Sequence, residues 1–183
     1  MKNALMLALA IGVLAFPALA VPENITIGLY KVSFDIGLTR DDYNVTVPNP
    51  KETEQLSGAK ETDYSVEIRN NTGLYRVMTI TIKHFEEKFP IATGSDFKKG
   101  LSELYKNDPR FSGYISDVRT IDGANGAILN ANIAVDSEHV LNVYEAVYQT
   151  VFDTQTIVEI ISSYPWDEGT LQLLKTIHVE EVK

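Results

Sequence analysis

The sequence predicts an α+β domain, an antiparallel β-sheet with helices packed on its faces, and three observations carry that prediction. Apolar and polar residues alternate along most of the chain, the period of a strand with one face buried. Two segments switch to the helical period. The order of strands, one helix, more strands and a final helix suits helices docked on an antiparallel sheet.

Tyr30, Val32, Phe34 and Ile36 alternate with Lys31, Ser33 and Asp35, and Tyr43, Val45 and Val47 alternate with Asn44 and Thr46, so both segments read as strands. Gly37 to Asp63 sustains neither period after Val47 and reads as a long polar surface loop. Tyr64 to Arg69 and Arg76 to His84 resume alternation, joined by a hairpin through Asn71, Thr72 and Gly73. Between Ser95 and Lys106, Phe97, Leu101, Leu104 and Tyr105 fall on one face of a helix, with Ser95 as its cap and Asp108-Pro109 as its stop. Ala127 to Val135, Val143 to Phe152 and Thr156 to Ser162 read as an antiparallel meander, its last two strands closed by a tight turn at Asp153-Thr154. A second helix runs from Asp167 to Thr176, with Asp167 as the cap, Trp166 stapled on Leu171, and Leu171, Leu174 and Ile177 or His178 as the buried stripe.

Ahead of this domain, Lys2 supplies a basic start and Ala4 to Phe16 carries no charged or strongly polar side chain. That run is shorter than the roughly 20 residues that span a bilayer. Pro17 then breaks the helix, and Ala18 and Ala20 are the small residues signal peptidase accepts ahead of a cut before Val21. Residues 1–20 therefore read as a signal peptide and 21–183 as one exported domain, with no stable membrane insertion after cleavage.

The chain has no cysteine, which removes disulfides, a lipidated cysteine and thiolate metal sites and leaves the core to hold the domain together. Its 25 acidic against 16 basic residues give a formal charge of −9, and with basic residues scattered apart from Lys98-Lys99 this disfavours nucleic acid.

The turn Ile121-Asp122-Gly123 leading into a strand, the long final hairpin, and the ending Ser162-Ser163-Tyr164-Pro165-Trp166-Asp167 into a helix reaching Thr176-Ile177-His178-Val179 resemble the PsbP-like family, specifically its non-photosynthetic relatives. The resemblance implies an α/β/α sandwich and a non-enzymatic accessory or binding domain. It supplies no catalytic residue to carry over.

His84, His139 and His178 show no paired ligand spacing, and Asp122-Gly123-Ala124-Asn125-Gly126 lacks the lysine of a phosphate loop and the spacing of a calcium loop. Asp41-Asp42, Glu86-Glu87 and Glu180-Glu181 read as solvated charge. No catalytic residue, metal ligand or cofactor is therefore assigned. Asn24-Ile25-Thr26, Asn44-Val45-Thr46 and Asn70-Asn71-Thr72 are acceptor triplets for N-glycosylation, against about one or two expected by chance. The sequence thus favours an exported binding or accessory domain with an envelope protein partner, met by the Gly37 to Asp63 loop and its neighbouring strand. The alternative is an exported hydrolase whose carboxylates come together only in space.

Overall fold

The computed structural model describes residues 22–55, 58–72, 76–106, 108–136 and 138–182. Among them the strands are β1 (Glu23–Ile27), β2 (Tyr30–Phe34), β3 (Tyr43–Thr46), β4 (Lys51–Glu54), β5 (Lys60–Asn70), β6 (Val77–Phe85), β7 (Phe111–Ile121), β8 (Ala124–Ala134), β9 (Val140–Gln149), β10 (Thr156–Ser162) and β11 (His178–Glu181). Helix α1 (Gly94–Lys106) lies between β6 and β7, and α2 (Leu171–Thr176) follows β10.

Every strand pairing is antiparallel. The large sheet runs β3-β5-β6-β10-β9-β8-β7, with β4 also pairing along β5, and the small sheet runs β1-β2-β11. Tyr30, Val32 and Phe34 of β2 are buried with Val66 and Ile68 of β5, Met78, Ile80 and Ile82 of β6, and Val158 and Ile160 of β10. The two sheets therefore stack face to face, and α2 joins the same core through Leu173 and Ile177. On the opposite face, α1 lays Leu101 and Tyr105 on Ala127, Leu129 and Ala131 of β8.

This arrangement overturns the α/β/α sandwich. Strands make up 53% of the described residues against 18% for helices, and the layer expected to be helical is mainly a second sheet. β1 pairs with β2 as a tight hairpin through Gly28 and Leu29, a local pairing that the Asn24–Ile27 alternation could have announced; β11 joins β2 from the far end of the domain, and no local pattern announces that pairing.

The loop expected over Gly37 to Asp63 is also partly strand. β4 has the sequence KETE with all four residues exposed, so it carries no apolar alternation. Its pairing sets Lys51 opposite Asp63 and Glu54 opposite Lys60, and opposite charges across a strand pair are favourable. β7 escaped the pattern because it is an exposed edge whose register shifts between Ser112 and Ile115, where Gly113 takes φ +60°, the mark of a bulge. Gly73 of the expected hairpin lies outside the described residues, although β5 and β6 do pair.

Both helix caps differ from expectation. Helix α1 is capped by Thr93: its hydroxyl accepts the Asp96 N–H at 3.3 Å while Asp96 accepts the Thr93 N–H at 2.9 Å, a reciprocal capping box. Ser95 lies in the first turn. Phe97, Leu101 and Tyr105 form the inward stripe at i, i+4 and i+8, and Leu104, expected to be buried, is 67% exposed. At the C-terminal helix Asp167 makes no cap bond; a π-type turn, Trp166–Thr170, follows Pro165 and leads into α2. This wider turn shifts the phase of the helix, so Leu173, not Leu171 or Leu174, is the fully buried residue and His178 is exposed at the start of β11.

Candidate functional site

The cleavage residues Ala18, Ala20 and Val21 lie outside the described residues. Asn24 is exposed on β1 and Asn44 on β3, and Asn70 is the half-buried last residue of β5, its carbonyl oxygen accepting the Thr72 N–H and hydroxyl at 2.7 and 2.8 Å. Asn70 is the register partner of Tyr43, and the Tyr43 hydroxyl donates to Glu23 at 2.8 Å. The three acceptor asparagines are thereby gathered round one edge of the molecule.

The histidines stay apart. His84 meets the Tyr30 hydroxyl at 2.7 Å, His139 meets Asp136 and His178 meets Asp122, both at 2.8 Å. Asp122 also accepts the Val179 N–H at 2.9 Å, so the Asp122-Gly123 turn, with positive φ at both residues, clamps β11 to the end of the large sheet.

Carboxylates far apart in the chain do converge on the α1 side of the large sheet. Glu145 is buried and accepts the Tyr105 hydroxyl, Glu159 pairs with Lys83 at 3.1 Å, and Glu61 is buried and accepts the Gln55 amide. Burial pushes the Glu61 and Glu145 carboxyls above the usual carboxylate range, with neighbouring Asp63 adding to the rise at Glu61. Each of the three has a structural partner, and the Tyr105–Glu145 bond fastens α1 to the sheet.

The opposite face holds a groove of about 300 Å³ at the β7-β8-β9 end. Here register places Ile115, Asn130 and Tyr144 in one row across the three strands, and Asp117, Ile128 and Ala146 in the next. Ile128 and Ala146 belong to the core, whereas at the same parity one row outward the side chains become amide and phenol. Asn142 bridges its neighbours: Asn130 donates to it at 2.7 Å, and it donates to Asn132 at 2.9 Å.

Trp166 forms the wall. Its ring meets that of Tyr144 at 5.1 Å between centroids and 39° between planes, and the Arg119 guanidinium lies over it at 5.9 Å, within cation–π range. Burial raises the Tyr144 hydroxyl above its ordinary pKa, while a hydrogen bond from the Trp166 backbone opposes the rise. The turn that carries Trp166 is itself locked. Thr170 bonds Ser162 at 2.7 Å and the Tyr164 carbonyl at 3.1 Å, and Arg76 pairs with Glu168 at 2.6 Å.

The family models, curated proteins and solved structures compared with the chain give no match. The PsbP-like resemblance assigns no binding role to any residue of this groove, so its reading rests on its own chemistry.

Sequence reasoning gave Trp166 a structural job as a staple and passed over Asp117, Arg119, Asn130, Asn142 and Tyr144. A signal was present. Asn130 and Asn132 share the parity of Ile128, and Asn142 shares that of Tyr144, Ala146 and Tyr148; polar residues at core parity mark where a sheet face loses its cover.

Proposed function

We propose that the chain is an exported, non-enzymatic binding domain of the cell envelope or extracellular space, and that it holds its ligand in the Trp166 groove. One observation carries this: the Trp166–Tyr144 ring pair is set beside planar polar side chains on an uncovered part of an otherwise buried face. Small-molecule sites combine apolar and aromatic walls with a few fixed polar groups, and a volume of about 300 Å³ is at the lower end of their range. What speaks for binding over hydrolysis is that the groove is lined by one carboxylate, Asp117, with no second one to complete an acid and base pair, while Glu61, Glu145 and Glu159 on the other face are each committed to Gln55, Tyr105 and Lys83.

Trp166 is the sole tryptophan, so its indole N–H resonance reports on the groove without interference. A fragment library containing aromatic and saccharide members is expected to yield binders that shift this resonance. Binders that perturb only other residues, or none at all, would overturn the assignment. Export is tested separately by N-terminal sequencing of the protein recovered from its host, for which Val21 is the expected first residue; an intact Met1 in the membrane fraction would contradict it.

A further inference from the structure

We infer that the groove takes a neutral saccharide, with one sugar ring against the Trp166–Tyr144 wall and its hydroxyls on Asp117, Arg119 and Asn130, the last held by Asn142; this rests on the binding reading just given. A pyranose presents an apolar face of C–H groups and a rim of hydroxyls that both donate and accept. Its complement is an aromatic surface beside planar side chains of both hydrogen-bonding polarities. The groove has that composition: amides donate and accept, a carboxylate accepts, and a guanidinium donates.

Rigidity supports the same ligand class. The Asn130–Asn142–Asn132 ladder and the locked Trp166 turn hold these groups in place before any ligand arrives, which lowers the ordering cost that weakens binding to shallow sites.

Charge decides between saccharide types. The chain carries a net charge of −9, yet the ionisable side chains lining the groove beside Tyr144 are one aspartate and one arginine, Asp117 and Arg119. The patch is locally balanced, and an anionic sugar approaching it meets a repulsive overall field with a single guanidinium to offset it. A cation meets Arg119 already seated over the Trp166 ring. A neutral polyhydroxylated ligand faces neither obstacle.

The test is an NMR titration of residues 21–183 with four probes: a neutral hexose trisaccharide, an N-acetylhexosamine trisaccharide, a uronic acid trisaccharide and indole. One or both neutral trisaccharides are expected to shift the Trp166 indole and the Asn130 and Asn142 side-chain amides, and to bind at least about tenfold more tightly than the uronic acid trisaccharide, a difference of about 1.4 kcal/mol. Asp117→Ala and Ile115→Glu alter exposed positions on β7 and should weaken neutral binding by about tenfold or more while leaving thermal unfolding unchanged. Trp166→Phe keeps a ring and is expected to retain most of the affinity that Trp166→Ala loses. Equal or tighter uronic acid binding overturns the inference. Indole binding in the groove with no trisaccharide binding also overturns it, while leaving the binding-domain reading standing. Failure of all four probes to touch Trp166 refutes both.

Discussion

A Gly126→Ala substitution destabilises the domain by about 3 kcal/mol, the upper end of what overpacking a tight interior costs. Gly126 sits on β8 opposite Tyr148 of β9. A Cβ there would lie 2.6 Å from the Val147 carbonyl oxygen and 2.8 Å from the Tyr148 Cβ, so relief requires moving backbone or a fully buried ring. Tyr148 is 0% exposed, which leaves it nowhere to go, and the neighbouring Gly94 packs so closely that its own added Cβ would come within 2.8 Å of the Gly126 carbonyl oxygen. Gly100 supplies the contrast. It is exposed in the middle of α1, and nothing lies within 4 Å of an added Cβ, so Gly100→Ala stabilises by about 0.5–1 kcal/mol through helix propensity alone. Urea unfolding of the two variants should move the midpoint in opposite directions. An unchanged midpoint for Gly126→Ala would mean that β8 and β9 are not packed as described.

Tyr105→Phe is expected to cost about 1–3 kcal/mol at pH 8, because it leaves the buried Glu145 carboxylate without its hydrogen-bond donor, and clearly less at pH 5. The direction in pH follows from linkage. Burial holds the Glu145 and Glu61 carboxyls above their ordinary value of 4.5, so between that value and the raised one the native state binds more protons than the unfolded chain. Stability then falls as pH rises through this window. Around Glu145 the titratable neighbours are Tyr105, Glu159 and Lys83; around Glu61 they are Asp63 and Lys83. The carboxyls of Asp96, Asp108, Asp136 and Glu180 are held below their ordinary values chiefly by hydrogen bonds from Thr93, Arg110, the Glu138 backbone and Lys31. Their effect is lost only at more acidic pH, outside the window. The wild-type protein should therefore be more stable at pH 5 than at pH 8, and Glu145→Gln, which still accepts the Tyr105 hydroxyl, should flatten that difference. Wild-type stability that rises from pH 5 to pH 8, or an equal loss for Tyr105→Phe at both, would contradict this account.

The strands that read clearly were those whose alternation faces the common core. β2 and β6 present mainly apolar residues to one side and mainly polar residues to the other, β10 alternates in burial with Val158 and Ile160 inward, and two-residue periodicity is a local property of the chain. Helix α1 was legible for the same reason, apart from its cap, where Thr93 and Asp96 carried a capping-box spacing that was passed over. β4 and β7 were illegible because edge strands bury little and need no apolar face. The groove was half legible: Asn130 and Asn132 stand at core parity in an expected strand, while Asn142 lies just ahead of the expected start at Val143, since β9 begins at Val140; which stretch of a sheet face lies bare depends on where its covering layer ends.

The amino-acid sequence by itself determined the strand-rich character of the domain, its dependence on a core without disulfides, its acidic charge and, Leu104 aside, the inward stripe of α1, because each follows from residue type and local period. Only the tertiary structure decided that β11 joins the β1–β2 hairpin as a second sheet, that Glu145 meets Tyr105 beneath α1, and that Trp166 stands over Tyr144 and beneath Arg119. Those outcomes depend on contacts between residues distant in the chain. Long-range pairing is selected by the fit of whole faces against one another, and no window of neighbouring residues contains that information.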